Sequence, residues 1–227
     1  MSSIWLFSVA VGVTLVSSAL TSCVTYGYCG TDSNSGKRLP CVVRREPVSI
    51  RNSDLEGACP ALMNTSGASV PVCCDVQQTA AYKYEFVKLL RLGVDKDSKC
   101  FKNFENLMCQ AFCSPNQSKF LAVFKYSAEG KCQPSATETV YVLDKHFAED
   151  VYEACKDVRT RVFGMRLMSF MCGKYGYRKC TAQHFFDFVG AVYAEGGHSP
   201  LKIRHVLAET PVSVNGLRLE PFKSDIL

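Results

Sequence analysis

The 227-residue sequence lacks every motif that would mark a catalytic centre. It has no nucleophile elbow, no paired-histidine zinc helix and no dinucleotide-binding fingerprint. Its four histidines show no ligand spacing, and no two of its cysteines are separated by the two residues typical of a zinc knuckle. These absences predict a protein that is not an enzyme and that uses neither a metal nor a cofactor.

Long apolar runs are missing beyond the N-terminus, so no membrane span is predicted there. The net charge of +5 is spread along the chain, and its densest cluster lies between Arg159 and Lys179. Without a basic arm or a known nucleic-acid-binding module, nucleic acid is not an expected partner, and membrane contact is expected to be transient at most. The basic cluster is expected to be a solvated face; a docking surface for an acidic partner or for anionic lipid headgroups is the alternative.

The N-terminus carries one apolar run, Ile4 to Val16, which is too short for a comfortable bilayer span and suits a signal peptide. Small residues favour cleavage after Ala19, with cleavage after Ser22 as the alternative, so residues 1–22 are predicted to be a signal peptide. A lipoprotein cleavage box ending at Cys23 is a weaker interpretation because the leader has no basic residue.

Thirteen cysteines lie between Cys23 and Cys180, and the last 47 residues contain none. Free thiols in such numbers are untenable in an oxidising lumen, so disulfides are expected in preference to metal ligands. Asn64 and Asn116 each begin a glycosylation sequon, which agrees with the same compartment. The mature chain is therefore predicted to be a lumenal or secreted domain.

Residue periodicity predicts an α+β fold. The stretch from Cys23 to Cys74 shows no sustained period and is predicted to be loops pinned by disulfides. Helices are predicted from Asp75 onward, over Cys100 to Cys113, and over about Asp144 to Val158, Thr160 to Met171, and Thr181 to Ala194. A β-hairpin is predicted over Phe120 to Tyr126 and Thr139 to Leu143, and strands are predicted from Leu201 with a turn at Asn215-Gly216.

The helix that begins after Asp75 carries two stripes, which predicts that it is buried on both sides or borders a cavity. One stripe is Val76, Ala80, Tyr84 and Val87, and the other is Gln78, Tyr82, Phe86 and Leu89. Many further Phe, Tyr and Met residues fall at helical spacing. They fit either an ordinary core or a lined apolar cavity.

Several motifs together resemble one known family. They are Cys73–Gln78 (CCDVQQ), Cys109–Ser118 (CQAFCSPNQS), Tyr152–Val158 (YEACKDV), Cys172–Lys174 (CGK) and Cys23–Gly30 (CVTYGYCG). In this order they resemble the N-terminal lumenal sterol-binding domain of the Niemann–Pick type C cholesterol transporter family. The resemblance is collinear from about Cys23 to Phe222.

This resemblance implies one disulfide-rich α+β domain over residues 23–222, followed by a tail at 223–227. Several helices would pack against a small mixed or antiparallel sheet and enclose an apolar pocket. The implied disulfides are Cys23–Cys73, Cys29–Cys41, Cys59–Cys109, Cys74–Cys113, Cys100–Cys155 and Cys172–Cys180. Cys132 is left without a partner.

In the family, one sterol lies in a deep pocket with its hydroxyl innermost, where a Gln and an Asn contact it. Gln78 stands at the position of that Gln, and the pattern of residues agrees because this amide heads the Tyr82 stripe. Pro40 stands at the position of the Asn, while Thr25 and Tyr28 replace a family Trp and Glu. Tyr28 or a water could supply the missing hydroxyl partner.

The resemblance also implies the apolar part of the site. Its wall residues would be Tyr82, Phe101, Asn106, Met108, Phe120, Tyr141 and Tyr152. Its mouth would be formed by Phe170, Met171, Gly197, Pro200, Leu201 and Ile203. The mouth residues are apolar, as a gate for a lipid should be.

The function expected from the resemblance is non-enzymatic binding and transfer of a sterol in the endolysosomal lumen or outside the cell. The expected ligand is a cholesterol-like sterol, and the expected protein partner is a small soluble lumenal sterol carrier. Two alternatives stay open: a docking or decoy module that has lost lipid binding, and a carrier of another small hydrophobic ligand. A standalone chain is the simpler interpretation, although a fragment of a larger transporter would have the same sequence.

Overall fold

The computed structural model describes residues 22–64, 67–128, 133–161 and 164–225. The expected signal peptide, apart from Ser22, and Cys132 lie outside these residues. Within them, no helix is long and apolar enough to cross a membrane.

Strands and helices alternate irregularly along the described chain. The strands are β1 (Cys23–Thr31), β2 (Arg38–Arg45), β3 (Val48–Arg51), β4 (Ser69–Val72), β5 (Leu121–Ser127), β6 (Ser135–Asp144), β7 (Lys202–Ala208), β8 (Val212–Val214) and β9 (Leu217–Leu219). The helices are α1 (Asn52–Leu55), α2 (Val76–Arg91), α3 (Lys99–Cys113), α4 (Lys145–Lys156), α5 (Met168–Met171) and α6 (Ala182–Val189), with short 3₁₀ turns between some of them.

The main sheet is mixed. Strands β1, β2, β6 and β5 follow one another with antiparallel pairing, and β7 pairs with β6 in parallel from Glu138–Lys202 to Asp144–Ala208. Two small antiparallel pairs, β3–β4 and β8–β9, lie outside this sheet. The prediction of an α+β domain with a mixed sheet is confirmed.

Local signals start the helices as predicted. The Asp75 carboxylate accepts from the backbone N–H of Gln78 at 2.8 Å, and the Gln78 side chain accepts from the backbone N–H of Asp75 at 3.1 Å, which forms a capping box. Ser98 caps α3 by accepting from the backbone N–H of Phe101. At the β8–β9 turn, Asn215 and Gly216 both have positive φ, so the predicted type I′ hairpin is confirmed.

Six disulfides connect the elements. They are Cys23–Cys73, Cys29–Cys41, Cys59–Cys109, Cys74–Cys113, Cys100–Cys155 and Cys172–Cys180, the pairings that the resemblance implies. Three of them end on α3, which is thereby fastened to the segments before α2 and to α4. Cys109 and Cys113 lie one turn apart on this helix, as the sequence indicates.

Three predictions of secondary structure are wrong. The segment from Cys23 to Cys74, predicted to be loops, contains four strands. The sequence does not show β1 because its inward-facing residues include Thr25 and a glycine, which hide the period-two pattern of apolar residues. Among the described residues of the predicted Thr160–Met171 segment, only Met168–Met171 is helical. Gly164 has a φ of +61°, a left-handed conformation that interrupts a helix.

The predicted helix over Thr181 to Ala194 ends early, at Val189. A β-carbon on Gly190 would stand 1.9 Å from the carbonyl oxygen of Ile203, so the absence of a side chain lets β7 approach at this point. The backbone N–H of Ile203 donates to the Gly190 carbonyl at 2.9 Å. This contact turns the chain from α6 toward the sheet.

Candidate functional site

Helices α2 and α3 pack against each other through aromatic side chains. The rings of Tyr82 and Phe112 stack at 5.3 Å, and Phe86 meets Phe101 and Phe104 edge-on at 6.2 and 6.4 Å. Of the two stripes on α2, only the one that begins at Gln78 faces this interface. The stripe that begins at Val76 is largely exposed, so burial of α2 on both sides, one of the two predicted alternatives, is wrong. The other alternative, that α2 borders a cavity, agrees with the structure, because Leu89 lines the small cavity described below.

One end of this α2–α3 interface is polar. Gln78 is fully buried, and its side-chain oxygen accepts from the backbone N–H of Gly27 at 2.7 Å as well as from that of Asp75. Its amide nitrogen donates to the Tyr82 hydroxyl across 3.4 Å. The oxygen is thus committed to the protein backbone, whereas the amide nitrogen retains donor capacity.

Tyr28 stands near the same end, opposite Pro40 in the β1–β2 ladder. Burial raises the pKa of Tyr82 well above its usual range, and the nearby Tyr28 raises it further. Burial also raises the pKa of Tyr28, although the Arg38 guanidinium 4.4 Å from its ring partly lowers that pKa. Both hydroxyls therefore stay protonated in the physiological pH range and can donate a hydrogen bond.

The other end of the interface is apolar and nearly closed. A cavity of about 10 Å³, room for no more than one water molecule, lies there. Its lining residues come from the ends of α2 and α3 and from α4, α5 and α6: Leu89, Val94, Cys100, Phe101, Phe104, Cys155, Leu167, Met171 and Phe185. At this end of the α2–α3 interface, the apolar pocket expected from the sequence is no larger than this cavity of about 10 Å³.

Two of the residues expected in the pocket belong to the core of the sheet. The rings of Phe120 and Tyr141 lie 5.6 Å apart, and both contact Phe222. The Tyr141 hydroxyl donates to the Leu107 carbonyl at 3.4 Å. His205 packs against Tyr141, and burial lowers the pKa of this histidine to about 4.

The other expected wall residues are spread around α3 and α4. Asn106 donates to the Ser224 hydroxyl at 2.9 Å, and Met108 is half-buried against the core. The Tyr152 hydroxyl donates to the Cys180 carbonyl at 3.0 Å, and its ring contacts Phe185 of the small cavity.

The expected gate residues differ in exposure. Phe170 is 41% exposed, beside the half-buried Met171 that lines the cavity. Pro200 is half-buried, whereas Leu201 and Ile203 are buried at the start of β7. The structure thus places Gln78 and Tyr82 at one end of the α2–α3 interface and Phe101 and Met171 at the other, without gathering all the expected residues around one cavity.

Sequence reasoning missed several residues of this region. Phe104, Leu167 and Phe185 line the cavity, as does Leu89 of the predicted Gln78 stripe. None of them is among the predicted site residues, because each carries only a helical periodicity that a core residue would share. Gln117 was also missed: it is fully buried, and its side chain binds the backbone of β1. Its place inside a glycosylation sequon gives no hint of that role. The sequon residues Asn64 and Asn116 are exposed and half-buried, respectively.

A second concavity lies on the side of α2 and α3 that faces α1. This Glu105 groove has a volume of about 800 Å³ and an apolar floor that includes Phe86, Val87, Leu90 and Phe101. The Glu105 side chain lines it while only 8% exposed, and it has no hydrogen bond or ion pair with any described residue. Burial alone raises the pKa of Glu105 to about 7.

The raised pKa makes protein stability depend on pH. A carboxyl whose pKa is higher in the folded than in the unfolded chain lowers the free energy of unfolding as pH rises through the two values. We therefore expect Glu105→Gln to stabilise the protein by on the order of 1–2 kcal/mol at pH 8, after allowance for solvent in the groove, and to change little at pH 4. Urea unfolding at both pH values measures this. Equal effects at pH 4 and pH 8 would contradict the assignment.

The chain matches the protein family described as Niemann-Pick C1 N terminus over residues 20–226. It is 27% identical over 198 residues to the NPC intracellular cholesterol transporter 1 of Sus scrofa, a match that covers 84% of this chain and 15% of that protein. It is 30% identical over 173 residues to the NPC1-like intracellular cholesterol transporter 1 of Homo sapiens, covering 76% of this chain and 12% of that protein. The chain thus spans less than a sixth of the length of these relatives.

The family match covers every described residue, and the capping-box Gln78 and the six disulfides lie within it. The chain therefore belongs to the Niemann-Pick C1 N-terminus family, a non-enzymatic sterol-binding module of cholesterol transporters.

Proposed function

We propose that this chain binds a cholesterol-like sterol and transfers it within the endolysosomal lumen or outside the cell. The observation that carries this proposal is the α2–α3 interface. It has hydrogen-bonding side chains at the Gln78 end and a small apolar cavity, closed by long side chains such as Met171, at the other end. Gln78 and Leu89 are eleven residues apart, so they lie about 16 Å apart along the helix axis. That span suits a rigid, elongated lipid with a single hydroxyl.

The hydroxyl would lie at the Gln78 end. The Gln78 amide nitrogen retains donor capacity, and the Tyr82 and Tyr28 hydroxyls can both donate and accept. A buried sterol hydroxyl needs such partners because an unpaired polar group in an apolar interior costs roughly 1–3 kcal/mol. Pro40 offers no side-chain partner, so Tyr28 takes the part that an Asn plays in the family.

Sterol binding requires side chains at the cavity to move. A space of about 10 Å³ is far smaller than the 300–1,000 Å³ of usual ligand pockets. Met171 closes the cavity from α5, a helix of only four residues, and the exposed Phe170 is its neighbour. Methionine has a flexible side chain that repacks easily, so we propose that α5 and the loop at Pro200 form the gate.

The proposed partner for transfer is a small soluble lumenal sterol carrier. The basic surface from Arg159 to Lys179 lies along the chain beside this gate, and Arg166 is held there by Asp157 at 2.6 Å. Such a surface complements an acidic partner and would speed its encounter. The sequons at Asn64 and Asn116 are proposed to carry glycans in the same compartment.

The proposal is tested by fluorescent-sterol titration of the purified chain. We expect saturable binding, and we expect Met171→Trp to weaken it at least tenfold because the larger ring fills the access route. Tyr126→Trp, at a residue on β5 that is 64% exposed and does not line the cavity, is the matched control and should bind normally. Absence of saturable binding, together with no sterol among lipids extracted from the native protein, would favour a docking or decoy module instead.

A further inference from the structure

The Glu105 groove is a second concavity, which shares only the Phe101 side chain with the lining of the small cavity described above. Its floor is apolar, and it lies between α2, α3 and the segment 56–61 that follows α1. A volume of about 800 Å³ is in the range of small-molecule sites. The groove is open to solvent in the structure, so no gate has to move before a ligand binds there.

Among the charged residues around the groove, lysines outnumber carboxylates by three to two. Lys83, Lys96 and Lys102 line it together with Glu56 and Glu105. Lys96 and Lys102 belong to the end where the chain passes from α2 into α3, and neither has an ion pair among the described residues. Lys83 contacts the backbone carbonyl of Glu56 at 3.4 Å. One end of the groove rim therefore carries two lysines, Lys96 and Lys102, that form no ion pair with a described residue.

Glu105 lies along the apolar part of the groove and has no hydrogen bond or ion pair within the described part of the chain. An unpaired carboxyl so well buried is tolerated best when it is neutral. Burial raises the pKa of Glu105 to about 7, so this wall is uncharged in an acidic lumen and carries a negative charge above neutral pH. The charged residues facing it from the adjoining elements are Glu56, Lys83, Lys96 and Lys102.

We propose that the Glu105 groove binds an amphiphile made of a single apolar chain and an anionic headgroup. The headgroup would lie between Lys96 and Lys102, and the chain would cover Leu90, Val87 and Phe86. Protonation of Glu105 removes a like charge from beside the ligand, so binding is tighter at acidic pH. An amine ligand is disfavoured because it would have to pass the lysines.

Decyl sulfate, kept below its critical micelle concentration, is the probe because its headgroup stays ionised at every pH used. We expect the affinity for decyl sulfate, measured by calorimetry, to be about tenfold higher at pH 5.5 than at pH 8. The reason is that only the protein with protonated Glu105 binds, and about a tenth of the protein is in that form at pH 8. Glu105→Gln should bind equally at both pH values, with the affinity that the native chain has at pH 5.5. Lys96→Gln combined with Lys102→Gln should weaken binding about tenfold at either pH.

The matched control is Lys119→Gln combined with Lys223→Gln, at two exposed lysines outside the groove, which should leave the affinity unchanged. Circular dichroism of each variant is used to check that it is folded. Loss of affinity in the control equal to that in the Lys96 and Lys102 variant would overturn the proposal, as would tighter binding of decylamine at pH 8. A fluorescent sterol should not displace decyl sulfate from the groove, and displacement would contradict the proposal that the groove is a second binding site. If the chain binds no sterol at all, the expected decyl sulfate results stay the same.

Discussion

Replacement of Gln117 by Ala is expected to lower the free energy of unfolding by about 3–5 kcal/mol. The Gln117 oxygen accepts from the backbone N–H groups of Val24 at 2.8 Å and of Thr25 at 3.0 Å. Its amide nitrogen donates to the Thr25 hydroxyl at 2.9 Å and to the Ala111 carbonyl at 2.8 Å. The shorter side chain leaves all of these groups buried without a partner and creates a cavity.

Urea unfolding with the disulfides intact measures this effect. Gln77→Ala is the matched control, because Gln77 is exposed and its side chain bonds only to the Arg38 guanidinium at the surface. That change should alter stability by less than about 0.5 kcal/mol. A similar small change for Gln117→Ala would show that water replaces its hydrogen bonds, which is incompatible with the buried network described above.

The second large effect is expected at Gln78, which has both a structural and a binding role. Gln78→Ala removes the acceptor of the Gly27 and Asp75 backbone N–H groups, and it should cost about 2–4 kcal/mol of stability. It also removes the proposed donor to the sterol hydroxyl, so sterol affinity should fall by at least tenfold. Fluorescent-sterol titration below the unfolding transition measures the second effect.

Gln117→Ala provides the control that separates these two roles. Both variants remove a buried amide that holds β1, but only Gln78 lies at the polar end of the α2–α3 interface. We expect Gln117→Ala to retain sterol binding under conditions where it remains folded. If the two variants lose the same affinity, destabilisation explains the loss and Gln78 does not contact the ligand. Tyr82→Phe, which removes one hydroxyl and little stability, should weaken binding about threefold to tenfold.

The parts of the fold that follow from local signals could be predicted from the sequence. Asp75 and Asn215-Gly216 each act on the backbone within a few residues, so the start of α2 and the β8–β9 hairpin are predicted correctly. Strands β1 and β2 were missed because burial there depends on partners distant in the chain. Thr25 is buried by Gln117, 92 residues away, and its side chain alone does not indicate a buried strand.

The candidate site was only partly predictable for a related reason. A stripe such as Gln78, Tyr82 and Phe86 identifies the face of α2 that packs inward, but it does not say how closely a neighbour approaches. Whether Phe104 and Met171 leave a large pocket or a space of about 10 Å³ depends on the relative placement of the five helices α2 to α6. The Glu105 groove was unpredictable for the same reason, since an acidic residue on α3 has the pattern of a solvated side chain.

Phe222 has a consequence for the order in which the chain folds during synthesis. Its backbone bonds to Val142 and Asp144, and its ring contacts Phe120, Tyr141 and Phe147. All six disulfides join residues no later than Cys180, so cross-linking can begin before β7 and Phe222 have joined the sheet. The nascent domain would then be cross-linked before its sheet is finished. Such an intermediate would expose the β6 edge that β7 covers and the aromatic rings that pack against Phe222.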